Sequence, residues 1–210
     1  MKALSLTALL GLAVLTASCD GLFGGLYDEP AAGAAYGFIQ TDPDGLGGTL
    51  RIDATSYTRW NYIDLLHQRI DTASITLGQD APPEWDFALH RYDVKTHGGA
   101  AAETPFDQVG VASALEGLHF VSDADSQVVI DMSTMMEGYL GYASSEVNPV
   151  LSTWLHVDQS TMPPIYTLSN KVYLLRMADG SLAALQFTGY MDDAMRKGIV
   201  TLRYRLISNL

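Results

Sequence analysis

Three strand-like runs near the C-terminal end, separated by turn residues, constrain this chain more than any other feature. Lys171-Val172-Tyr173-Leu174-Leu175-Arg176-Met177 leads into Ala178-Asp179-Gly180, and Leu182 to Thr188 follows. Asp-Gly between two such runs is a hairpin signal, because a tight turn needs positive φ and these residues tolerate it. Ile199 to Leu206 then sets Ile199, Thr201, Arg203 and Arg205 against Val200, Leu202, Tyr204 and Leu206. A period of two puts the second set on a core face. Upstream, Tyr57 to Ile63 is rich in aromatic and β-branched residues, a strand signal. Trp85 to Leu89 alternates apolar with mostly small or polar residues and follows the breaker Ala81-Pro82-Pro83, which predicts a half-buried strand. His97 to Asp107 reads as a Gly/Ala-rich loop. Eleven Tyr and 19 Gly suit strands and turns. The fold class expected is all-β, mostly antiparallel, in a single domain. One segment departs from this: Met132, Met135, Met136, Tyr139 and Leu140 fall on one helical face. Gly138 and Gly141 weaken a helix there by roughly 1 kcal/mol each, so a short helix or helical loop near 131–141 is expected.

The N-terminal end carries a different signal. One positive charge at Lys2, an apolar run from Ala3 to Leu15 and the small residues Ala17-Ser18 precede Cys19, the single cysteine. This pattern reads as a secretory signal peptide over 1–18. An apolar run so short cannot span roughly 30 Å of hydrocarbon as a helix. Small residues before a cysteine resemble a bacterial lipobox, with Cys19 as the lipid anchor, although Leu15 lies one position further from the cysteine than usual. An ordinary secretory peptide is the other reading. Residues 19–48, rich in Gly, Ala, Asp and Pro, read as a flexible tether, with the globular domain over 49–210. Once Cys19 is acylated no thiol remains for disulfides, iron–sulfur clusters or cysteine zinc sites. With 12 basic and 24 acidic residues the formal charge is -12, which repels phosphate backbones and excludes nucleic acid as a partner. Attachment to a membrane is then expected through lipid at Cys19 rather than through charge.

Motifs for chemistry are few. The sequence has no phosphate-binding Gly-Lys-Ser/Thr loop, no Gly-x-Gly-x-x-Gly turn, no His-Glu-x-x-His helix and no Gly-x-Ser-x-Gly elbow. No carboxylate pair stands out among many acids, and the protein is expected not to be an enzyme. His67, His90, His97, His119 and His156 lack metal-ligand spacing, with His90 and His97 the nearest pair. Met132, Met135 and Met136 cluster at a spacing more typical of core than of a cofactor site. Met162 differs, because Pro163-Pro164 fixes an extended, exposed loop around it. A neutral thioether there has the chemistry of an axial haem ligand.

The stretch Trp85-Asp86-Phe87-Ala88-Leu89-His90-Arg91-Tyr92-Asp93-Val94-Lys95-Thr96-His97-Gly98-Gly99 resembles the signature of the HmuY family of haem-binding lipoproteins of the Bacteroidetes, with His97 in place of the usual Asn. Tyr57 to Tyr62, Met162 to Tyr166, Val172-Tyr173 through Gly180, Leu185 to Met191 and Gly198 to Tyr204 extend the resemblance over nearly the whole chain after the tether. It implies one all-β domain that clasps a haem (iron protoporphyrin IX) between two axial ligands on loops. It also implies a hemophore-like role in iron acquisition at the outer membrane, with transfer to a TonB-dependent outer-membrane receptor. Methionine-ligated members space their ligands roughly 26 or 27 positions apart, and Met162 lies 26 after Met136 and 27 after Met135. Met136, Met162 and Met135 are therefore the candidate cofactor-binding residues, whereas His90 belongs to the structural strand of the family. Two rival readings remain: a surface lipoprotein of the same fold that binds another ligand, a protein or a glycan without haem, and a purely structural or adhesin-like surface protein.

Overall fold

The alternating C-terminal run becomes the spine of a six-stranded antiparallel sheet. The computed structural model describes residues 36–97, 99, 101–104 and 118–207. The expected signal peptide, Cys19 and the first part of the tether lie outside the described residues. The strands are β1 (Gly37–Thr41), β2 (Gly47–Asp53), β3 (Arg59–Asp64), β4 (Arg69–Ser74), β5 (Phe87–His90), β6 (Asp93–Thr96) and β7 (Ala101–Thr104). They continue as β8 (Ala124–Asp131), β9 (Gly141–Val147), β10 (Leu155–Asp158), β11 (Ile165–Leu168), β12 (Val172–Arg176), β13 (Leu182–Met191) and β14 (Lys197–Ile207). One sheet has the order β1-β2-β14-β13-β12-β7, another β4-β3-β5-β6, and β8–β9 and β10–β11 form separate hairpins. Every pairing is antiparallel, as expected for an all-β chain. Among the described residues no helix is long and apolar enough to cross a membrane.

The main core lies where the two larger sheets meet. Leu50 and Ile52 of β2, Tyr173 and Leu175 of β12, and Val200 and Leu202 of β14 join Ile63 of β3 with Phe87 and Leu89 of β5. Val200, Leu202 and Tyr204 are buried as the alternation requires, while Ile199, from the opposite set, is buried too. The β12–β13 hairpin predicted at Asp179-Gly180 forms, with Arg176 opposite Leu182.

Three expectations are corrected. The tether does not extend to Gly48, because β1 and β2 already belong to the sheet. Gly47 and Gly48 are there for close approach: a Cβ on Gly48 would collide with the Gln40 carbonyl, and one on Gly47 would lie 2.8 Å from the Tyr204 carbonyl oxygen. The loop over His97 to Asp107 contains β7, which the outer edge of β12 recruits through backbone pairing. The strand around Trp85 to Leu89 is not half-buried, since all four residues of β5 are buried. Its second face is covered by the β8–β9 hairpin, whose Val128 packs in a cluster with Trp60, Tyr62, Trp85 and Ala88.

Candidate functional site

The signature stretch from Trp85 to Gly99 works as a structural lock. His90 is 1% exposed and its Nε2 lies 2.9 Å from the Tyr57 carbonyl oxygen. Arg91 Nη1 donates to the Thr55 carbonyl at 2.6 Å, and Trp154 Nε1 donates to the Tyr92 carbonyl at 2.9 Å. His97 stacks on Trp85 at 4.5 Å and sets Nδ1 2.8 Å from the Trp85 carbonyl oxygen. The buried Asp86 carboxylate accepts the Leu65 N–H at 2.8 Å, and desolvation raises its pKa. His90 is thus committed to the fold, and His97 is held against Trp85 through its ring face and Nδ1. Asp64, His67 and Glu84 form a cluster with metal-like donors, but Arg69 Nη2 lies 3.5 Å from both Asp64 Oδ2 and Glu84 Oε2. That guanidinium makes the cluster an ion-pair network.

The unpartnered chemistry lies on the two small hairpins. Ten large apolar side chains are exposed among the described residues, and six of them are Met135, Met136, Tyr139, Tyr142, Met162 and Ile165. Large apolar groups left exposed on loops are candidates for contact with a ligand or partner. Met136 is 88% exposed, Met162 82% and Met135 43%. In the β8–β9 loop the expected helical segment shrinks to one 3₁₀ turn, Met135–Glu137, that buries no residue. With no apolar face to pack, the periodicity over Met132 to Leu140 has nothing to stabilise a longer helix. Met132 is half-buried, and Met135, Met136 and Tyr139 project outward.

The two loops share a device that pattern reading by helix or strand period misses. Asp131-Met132-Ser133-Thr134-Met135 follows β8, and Asp158-Gln159-Ser160-Thr161-Met162 follows β10. In each, an Asp ends the strand and its Oδ1 accepts a backbone N–H two residues on, Ser133 at 2.8 Å and Ser160 at 2.9 Å. Each Thr hydroxyl then donates to a carbonyl beyond the methionine, Thr134 to Tyr139 at 3.2 Å and Thr161 to Pro163 at 3.1 Å. An aspartate that caps its own turn and a threonine that ties the loop across hold a methionine at each tip. These bonds also hold both acids low in pKa, Asp131 chiefly through the Ser133 N–H and Asp158 chiefly through the Ser160 hydroxyl. The peptide between Met162 and Pro163 is cis. The repeat aligns Met135, rather than Met136, with Met162. Tyr166 faces inward, stacked on Tyr190 at 5.1 Å with Lys197 Nζ 4.7 Å from its ring centre, whereas Tyr139 and Tyr142 are free of the core.

A family model described as HmuY protein matches residues 56–204. The chain belongs to the HmuY family. A solved HmuY relative from Bacteroides vulgatus, named as HmuY-like and haem-binding, is 45% identical, with a TM-score of 0.76 over 84% of this chain and 100% of that one. A Bacteroides fragilis protein described as a lipoprotein is 46% identical, with a TM-score of 0.77 over 86% of this chain and 100% of that one. The apo form of a HmuY analogue from Tannerella forsythia is 26% identical, with a TM-score of 0.66 over 78% of this chain and 97% of that one. No curated protein matches the chain. The HmuY signature residues His90 and Arg91 thus serve the fold, while the exposed methionines sit on the hairpin loops.

Proposed function

We propose that this HmuY-family protein binds haem through its β8–β9 and β10–β11 loops, with the thioethers of Met135 and Met162 as axial ligands. The observation that carries this reading is the paired Asp-x-Ser-Thr-Met turn, which presents an exposed methionine from each of two hairpins. Two neutral thioethers suit the iron of a porphyrin, which offers two open axial positions and redox activity when bound. Met136, one residue further on and more exposed, lies off the register of the repeat. Tyr139 and Tyr142 supply aromatic surface beside Met135 for contact with a porphyrin face. The haem-binding name of the Bacteroides vulgatus relative supports the same ligand. A thioether is neither a proton donor nor a base at ordinary pH, so the loops are built for capture rather than catalysis.

In the same reading Cys19 is acylated after removal of residues 1–18, the lipid holds the protein at the outer membrane facing outward, and the haem passes to a TonB-dependent receptor. The lipoprotein description of the Bacteroides fragilis relative supports the anchor. The test is titration of haemin into the purified mature domain, oxidised and with dithionite. A shifted Soret band is expected, with tighter binding after reduction because soft sulfur favours ferrous iron. Loss of an axial ligand should weaken binding at least as much as loss of an outer-shell partner, about tenfold or more. Met135→Ala and Met162→Ala should each do so, and Met136→Ala should not. Absence of any Soret shift in the unaltered protein defeats the haem assignment, and indifference of both Met135→Ala and Met162→Ala defeats the ligand assignment.

A further inference from the structure

We propose that the two methionine loops recognise a metalloporphyrin by its iron and apolar faces alone, making no ion pair with its carboxylate side chains, so that an esterified porphyrin is bound as well as the free acid. The inference rests on the haem reading above and concerns which porphyrins the site accepts.

Residues 131–140 and 158–164 contain the acids Asp131, Glu137 and Asp158 and no Lys or Arg. Asp131 and Asp158 are not incidental surface charges. Each ends its strand and holds the turn that displays its methionine, so a carboxylate is built into the base of each loop. A porphyrin dianion approaching these loops meets like charge. Four of the cations elsewhere already have partners. The Lys95 ammonium donates to the Tyr62 hydroxyl at 3.1 Å and sits 4.4 Å from the centre of a Trp60 ring. Lys197 lies over Tyr166, Arg205 pairs with Asp44 at 2.7 Å, and Arg196 pairs with Asp192. The large exposed groups at the tips are thioethers, phenols and the Ile165 side chain, and the exposed charge beside them is carboxylate, from Asp131 and Glu137.

This arrangement predicts a sign for the effect of salt. A site that pairs cations with carboxylates weakens as ionic strength rises, whereas one that repels them is unharmed by screening. The experiment is absorbance titration of the mature protein with haemin and with haemin dimethyl ester, at about 0.05 and 0.5 M NaCl. The ester is expected to bind within about threefold of haemin or more tightly, and haemin affinity should not fall with salt. Haemin that binds while the ester loses about tenfold, or haemin that weakens about tenfold in high salt, overturns this inference and leaves the haem reading standing. Failure of haemin itself to bind overturns the haem reading and this inference with it.

Discussion

Gly198→Ala gives a direct measure of the lock formed by the family signature. Gly198 has φ +93°, and a Cβ there would lie 2.7 Å from Arg91 Nη1 and 3.0 Å from both the Ala54 carbonyl oxygen and Thr55 Cα. Two of these neighbours are backbone, and the third belongs to a buried guanidinium already fixed by Thr55 and Tyr190. Neither side can give way freely. The left-handed conformation costs an L-residue about 1–2 kcal/mol. Weakening a charged hydrogen bond, that of Arg91 Nη1 to the Thr55 carbonyl, adds up to about 1.5–3 kcal/mol. A loss of about 3 kcal/mol is therefore expected. For a domain of this size that is a fall of roughly 6–12 °C in Tm. Urea unfolding followed by tryptophan fluorescence should show a lower midpoint with an unchanged slope, because the surface exposed on unfolding is the same. A loss under about 1 kcal/mol would refute the reasoning, since it would mean that β14 can move away from Arg91 at little cost.

Three further outcomes follow from the packing and the titrating groups. Val128→Ala opens a cavity under the β8–β9 hairpin, where Val128 is 1% exposed, and should cost about 1–3 kcal/mol in urea unfolding while also weakening haemin binding without removing a thioether. The Asp64 carboxylate, 2.7 Å from His67 Nδ1, raises the His67 pKa; its contribution to stability is present below the unfolded value near 6.5 and is lost as pH rises through the raised folded value, so an NMR titration should place His67 above an unpaired histidine, and Asp64→Asn should bring it down. Haemin affinity should hold between pH 7.5 and about 5, because a thioether does not titrate there, whereas imidazole ligation would weaken on the acid side.

The fold was legible wherever one strand face sees solvent and the other a core. Val200, Leu202 and Tyr204 met that condition, and Asp179-Gly180 marked its hairpin because turn chemistry is local. Strands covered on both faces were harder to read. β5 has Phe87 and Leu89 against the main core and Ala88 against the cluster that contains Val128, a residue some forty positions along the chain. Nothing in the composition of Trp85 to Leu89 announces that second cover, because it comes from a distant hairpin. Gly47 and Gly48 misled for the opposite reason: glycine means freedom in a tether and close approach in a sheet, and only the neighbours Gln40 and Tyr204 distinguish the two.

The candidate site divides along the same line between local and distant causes. Exposure of Met162 followed from Pro163-Pro164, a constraint carried by adjacent residues. The helical period of Met132, Met135, Met136, Tyr139 and Leu140 pointed toward a packed face, yet period implies burial only where another element is there to pack on it. What orders these methionines instead is the Asp-x-Ser-Thr turn before each loop, too short to register as an internal repeat and made of residues common in any turn. It acquires meaning once both copies stand at the end of a strand and open a hairpin. Each methionine is then held by bonds within its own loop, Asp131 to Ser133 and Asp158 to Ser160, and not by the core. A side chain held this way can be exchanged without disturbing the His90 and Arg91 lock, so the fold can keep its signature whatever its loops display.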